Sequence, residues 1–154
     1  DLPLSLGQDP TMKTGALLFI LLLAGIAYYI RLAPSNADEW NAALPATGPL
    51  TDCTRITAEA GGASVSCAAP ENALTRLDVI ALATPRTRRL AGSAQDGRVT
   101  WITRSKLWGF PDYTTAQMTQ TATGPRLDIH ARLRFGRSDT GVNAARLRAW
   151  ISQL

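Results

Sequence analysis

Residues 126–135 read RLDIHARLRF, and the alternation in that stretch decides the fold. Leu127, Ile129, Ala131, Leu133 and Phe135 occupy one side, while Arg126, Asp128, His130, Arg132 and Arg134 occupy the other. Successive side chains of a strand point to opposite faces, so this segment reads as a half-buried strand with one apolar and one charged face. Such a strand needs neighbours, and the residues upstream supply them. Gly124-Pro125 precedes it, and strands are expected at 113–121, 98–106 and 87–91. The turns between them are marked by 109–112 and by Asp96-Gly97.

Two helices flank this meander. Residues 71–83 carry Ala73, Leu74, Leu77, Ile80 and Ala81 on one stripe and end before Pro85. A helix over residues 140–153 is expected from the stripe Val142, Leu147, Trp150 and Ile151, continued by Leu154, with Ser138 or Asp139 placed to cap the helix start. The expectation is an α+β fold, an antiparallel sheet with helices packed on its one apolar face.

Ahead of the first helix, residues 51–69 read as a β-hairpin turning at Gly61-Gly62. Cys53 and Cys67 lie equally far from position 60, so a tight turn there sets them opposite each other. In an oxidising compartment they are expected to form a disulfide. In a reducing one they would be two small buried thiols. Their spacing suits no metal site, and no metal or other cofactor is expected.

Residues 14–30 (TGALLFILLLAGIAYYI) carry no charge. Extended to 33, the run is long enough for a single transmembrane helix, because Arg31 can reach the headgroups. Tyr28 and Tyr29 suit an interfacial belt, and Lys13 favours a cytoplasmic N-terminus. Met12-Lys13 reads as a natural start, and residues 1–11 as an upstream or disordered segment. A rival reading is a signal peptide cut after Ala37. Both readings carry the rest across the membrane: a linker at 34–50 with a short helical piece around Trp40, then a domain at 51–154. The expected location is a bacterial inner membrane, single-pass, with the globular domain periplasmic.

The net charge of +4 is unevenly spread. Acids outnumber bases before residue 85, and 12 basic residues face only 4 acids after it. That asymmetry suits either an anionic partner or a solvated Arg-rich face. Nucleic acid is not an expected partner in the predicted compartment.

Catalytic signals are sparse. His130, the only histidine, stands among arginines with Asp128 nearby and no indicated nucleophile. A hydrolase using Ser138 or His130 with Asp139 is a minor reading, and no enzyme is expected. The unusual segment is 134–146, RFGRSDTGVNAAR. It joins the charged strand to a helix start, and two readings stand. Arg134, Arg137 and Arg146 can gather around free backbone N–H groups to hold an anion. Alternatively, Ser138 and Asp139 cap the helix, Asn143 holds the loop and an arginine pairs with Asp112, forming a buried polar knot.

The segments RSKLWGFPDY (104–113) and RLRFGRSDTGVNAAR (132–146) resemble the signature of the family catalogued as domain of unknown function 1499. The matching positions are Ser105, Phe110, Asp112, Gly136, Ser138, Asp139, Gly141, Asn143 and Arg146. The likeness covers about residues 72–154, and RLAP at 31–34 is similar to the stretch that follows the membrane segment in such proteins. The cysteine hairpin is not part of the pattern. The resemblance implies architecture and location, with no reaction attached. Two functions follow as expectations: a membrane-anchored periplasmic interaction module, such as an accessory subunit among integral membrane proteins, or a binder of an anionic ligand or lipid headgroup through the Arg-rich sheet face.

Overall fold

The computed structural model describes residues 10–46 and 48–154. Most of the expected upstream segment, residues 1–9, lies outside the described residues. Two helices come first, α1 (Pro10–Leu32) and the short α2 (Ala37–Trp40). The hairpin β1 (Thr57–Glu59) and β2 (Gly62–Ala68) leads into α3 (Ala73–Ala83). The meander follows as β3 (Thr87–Ser93), β4 (Arg98–Arg104), β5 (Pro111–Thr121) and β6 (Gly124–Leu133), and α4 (Val142–Ile151) closes the chain.

The six strands form one antiparallel sheet in the order β1-β2-β6-β5-β4-β3. The alternation in β6 sets its two faces. Register places Ile129 between Val65 and Ala116, and Ala116 beside Val99, so one apolar row crosses four strands. Leu74, Leu77 and Ala81 of α3 and Ala144, Leu147 and Trp150 of α4 cover that row and are buried. Trp101 meets Trp150 edge-on, with centroids 5.6 Å apart. A buried indole needs an acceptor for its N–H. Trp101 Nε1 donates to Asp78 Oδ1 at 2.8 Å, and Trp150 Nε1 donates to Thr84 Oγ1 at 2.8 Å. Asp78 is completed by an ion pair with Arg89.

The expected elements are present, with shifted ends. The β5–β6 hairpin turns at Ala122-Thr123, so Gly124 and Pro125 already lie in the strand, while Phe135 lies beyond it. The Cys53–Cys67 disulfide is formed, with Cα atoms 5.0 Å apart. The route to it differs from the expected hairpin. β1 has only three residues, and Cys53 sits in a turn before it. Thr51 forms a parallel bridge to Cys67, with its N–H on Ser66 O at 2.9 Å.

The larger difference concerns residues 34–46 and 48–50, which are no free linker. They lie as a strap across the polar face of the sheet, opposite the helices. The Trp40 carbonyl accepts from Arg132 Nη2 at 2.7 Å and from Thr115 Oγ1 at 3.1 Å. Asn41 Oδ1 accepts from Thr100 Oγ1 at 2.9 Å. Leu44 exchanges two hydrogen bonds with the Gln117 amide. Farther along, the Gly48 carbonyl accepts from Arg126 Nη1 at 3.0 Å. Strap carbonyls and sheet donors thus satisfy each other where water is excluded.

α1 is the one helix among the described residues that is long and apolar enough to cross a membrane, with a mean hydropathy of 2.0 over its best window. Nearly all of it is exposed. Its last turn is different: Ile30 and, just beyond, Ala33 are buried against the domain.

Candidate functional site

The segment that opens α4 is organised by one carboxylate. Asp139 Oδ1 accepts the Gly141 N–H at 3.0 Å, and Oδ2 accepts the Asn143 N–H at 2.9 Å. Gly141 has φ 84°, a left-handed conformation that glycine adopts without steric cost. That geometry starts the helix at Val142, two residues later than the apolar pattern suggests. Burial pushes the Asp139 carboxyl up, but the Asn143 and Gly141 N–H groups outweigh it and hold the group below its usual range. Ser138 Oγ accepts the Thr140 N–H at 3.3 Å.

One turn on, Asn143 is fully buried, and its Oδ1 accepts from Arg146 Nη1 at 2.6 Å. Arg146 Nη2 reaches Asp112 Oδ2 at 3.0 Å, tying α4 to the start of β5. Burial raises the Asp112 carboxyl, opposed by the Arg146 charge. Ser105 closes the β4–β5 loop: its Oγ accepts the Phe110 N–H at 3.0 Å, and its N–H donates to Phe110 O at 2.9 Å. Ser105, Phe110, Asp112, Ser138 and Asp139 converge with Phe135 on a cleft of about 250 Å³. Residues more than 20 apart in sequence are thereby gathered by the β5–β6 pairing and the α4 start.

A model of the family described as protein of unknown function (DUF1499) matches residues 34–154. The chain belongs to the DUF1499 family. No curated protein matches it, and no solved structure does. The DUF1499 match begins at Pro34, so it takes in the strap as well as the residues that carry the resemblance. That extent agrees with the packing, in which the strap is a layer of the domain.

Within the DUF1499 domain, the three arginines expected to surround an anion are not gathered. Arg146 is paired with Asp112. Arg134 points the other way, its Nη1 donating to Pro34 O at 2.9 Å and to Tyr113 Oη at 3.2 Å, with its guanidinium over the Phe135 ring. Arg137 is exposed and has no side-chain partner among the described residues. The Asp139 carboxylate already fills the place an anion would take at the helix start. The arrangement is a polar knot of Asp139, Asn143, Arg146 and Asp112, while Ser138 is exposed and holds only the Thr140 N–H ahead of the helix.

His130 lies on the strap side, its Nε2 3.6 Å from Glu59 Oε2. Glu59 Oε1 accepts from Ser64 Oγ at 2.9 Å. A nucleophile–base–acid relay needs the imidazole between the other two groups, whereas here the carboxylate stands in the middle. Ser138 and Asp139 line a different cleft from His130. No motif marked Glu59 or Ser64, since their approach to His130 depends on the pairing of β1, β2 and β6.

The arginines of the sheet's polar face are also engaged. Arg126 and Asp128 form a buried pair, Nε to Oδ2 at 2.8 Å and Nη2 to Oδ1 at 2.8 Å. Arg132 is held by the Trp40 carbonyl and lies over the Trp40 ring. The face expected to meet an anionic ligand or a lipid headgroup is covered by the strap.

Proposed function

We propose that this DUF1499 chain is a membrane-anchored interaction module. Its domain stands on the periplasmic side of a bacterial inner membrane and serves as an accessory subunit beside integral membrane partners. The observation that carries the reading is the join between α1 and the domain. Arg31 Nη2 donates to Leu107 O at 3.0 Å, and Arg104 Nη1 reaches Ile30 O at 3.4 Å. Arg134 Nη1 donates to Pro34 O at 2.9 Å. The last carbonyls of a helix carry partial negative charge and lack intrahelical partners, so guanidinium groups there are favourable.

A cleavage after Ala37 would remove Arg31, Ala33 and Pro34 and with them these contacts, which favours a retained anchor over a signal peptide. The disulfide favours an oxidising compartment. A periplasm-dependent phosphatase fused after Leu154 is expected to be active, with the chain retained in membranes after alkaline washing. A cytosolic reporter, or release by the wash, would overturn the anchoring. Gentle detergent extraction followed by cross-linking and sizing is expected to show a heteromeric complex. A lone monomer throughout would overturn the subunit role.

A further inference from the structure

Beside the join of α1 to the domain lies a cleft of about 510 Å³ that the reading above does not use. Arg31, Arg86, Arg88, Arg104 and Lys106 line it. Five cationic side chains surround it, and no carboxylate lines it. Among the described residues, the side chains of Arg88 and Lys106 have no hydrogen-bond partner, and both are exposed. Arg86 uses only Nε, on the Arg104 carbonyl at 3.1 Å. Arg31 and Arg104 are fixed at the base through backbone carbonyls: Arg31 on Leu107 and Trp108, Arg104 on Gly109 and Ile30.

The charges in this cleft are not balanced by one another. Burial lowers the Arg104 pKa first, and the neighbouring Arg88 and Arg134 charges lower it further. Holding like charges together without a counterion is unfavourable, and a bound anion relieves it. The position of the cleft narrows the anion. Arg31 is in the last turn of α1, two residues after Tyr29, so the cleft opens at the level where a membrane helix leaves the hydrocarbon. The adjoining β4–β5 turn presents Leu107 and Trp108, 73% and 49% exposed. A Trp–Leu tip beside a row of cations is the pairing of groups that suits an acyl–headgroup boundary.

We propose that this cleft binds the phosphate of an anionic phospholipid headgroup, with Arg86, Arg88 and Lys106 as its mobile donors and Leu107 and Trp108 seated at the acyl boundary. The proposal rests on α1 being a membrane helix and goes beyond it by assigning a ligand site. The site lies on the same sheet face as the strap, at the β3–β4 border beside it, and shares only Ser105 with the cleft of the polar knot. A headgroup phosphate here places one negative charge among five cations and so offsets part of their mutual repulsion, and it fixes the height of the domain above the bilayer.

The test uses the full chain in a mild nonionic detergent, with bound lipid read by native mass spectrometry. Phosphatidylglycerol is expected to be retained about tenfold over phosphatidylcholine, with the preference falling as salt is raised. Arg88→Ala with Lys106→Ala is expected to reduce phosphatidylglycerol retention about tenfold, while Arg88→Lys with Lys106→Arg keeps it. Unchanged thermal unfolding in both pairs of variants would attribute the loss to charge rather than folding. Equal retention of the two lipids, or an alanine pair that binds as well as the parent, would overturn the site. Displacement of the lipid by equimolar inorganic phosphate would overturn the lipid assignment in favour of a free phosphate. A chain that passes the fusion and alkaline-wash tests yet shows no lipid preference loses this site alone. A chain that fails those tests loses the anchor itself.

Discussion

The Trp40 indole lies flat on the Tyr113 ring, with centroids 3.8 Å apart and planes 11° from parallel. This contact joins the strap to the centre of the sheet, and Arg132 stacks its guanidinium on the indole 5.2 Å from the ring centre. Flat stacking plus a guanidinium on one ring concentrates much of the strap's attachment in a single side chain. Trp40→Ala is expected to destabilise the domain by about 2–3 kcal/mol. The strap should be cut first in limited proteolysis, before the sheet. Urea unfolding of the full chain in detergent, together with mapping of the earliest cleavage site, checks both parts.

The Arg146–Asp112 pair is mostly buried, with side chains 10% and 16% exposed. Removing one partner strands the other's charge in the knot beside Asn143. Asp112→Leu or Arg146→Met alone is expected to cost about 3 kcal/mol. The double variant should cost less than the sum of the two, because no charge is then left unpaired. A double-mutant cycle measured by chemical denaturation gives the coupling.

Cys53 and Cys67 close a loop of sequence separation 14. Cross-linking a loop of that length restricts the unfolded chain by about 3 kcal/mol on the chain-entropy estimate. Cys53→Ser with Cys67→Ser is therefore expected to lower the unfolding midpoint by several degrees. Adding reductant should lower the parent's midpoint and leave the variant unaffected. Thiol alkylation with and without reductant reports the bond in cells.

The His130 imidazole is pushed below its ordinary value by burial and by the Arg132 charge, against the opposing pull of Glu59. The folded form therefore resists protonation that the unfolded chain accepts near pH 6.5. Its contribution is full above about pH 6.5 and is lost as the pH falls from there through the lower folded value. His130→Asn should flatten the fall in stability between pH 7.5 and about 5. Thermal unfolding of parent and variant across that interval shows the difference. A parent that gains stability on acidification over the same interval would contradict the sign.

The sheet and its helices were legible because their signals are periodic. Alternation along β6 separates the two faces, and the stripes on α3 and α4 mark what covers one of them. An arginine on Asp112 and the cap by Asp139 were readable as one of two alternatives, since a carboxylate three to four residues before an apolar stripe has few other uses; that the arginine is Arg146 emerges only from the packing of α4 on β5. The strap was not readable. Trp40, Asn41 and Leu44 have no periodicity, and beside the Trp40 ring and the Asn41 amide they hold the sheet through the backbone groups of Trp40 and Leu44, which carry no side-chain signature. The partial clue lay in β5, where Tyr113, Thr115 and Gln117 make a face too rich in hydrogen-bonding groups to be left dry and too aromatic to be left bare. The cationic cleft was hidden for a different reason. Arg31 belongs to the apolar helix and meets Arg86, Arg88 and Lys106 only through tertiary packing.

Gly109 shows how tightly that packing is drawn. Its φ is +74°, and a Cβ there would stand 2.9 Å from Arg31 Cγ.

The order of strands leaves β1 and β3 as the two borders of the sheet. One is three residues long, and the other is bulged between Arg89 and Ala91 and studded with arginines. Neither offers a straight run of free amides for another chain to zip onto. Copies crowded in the plane of a bilayer collide far more often than copies free in solution, so protection against edge-to-edge polymerisation matters most in that setting. Under the anchoring proposed above, the geometry of the two borders disfavours stitching of the sheets of neighbouring copies into fibres.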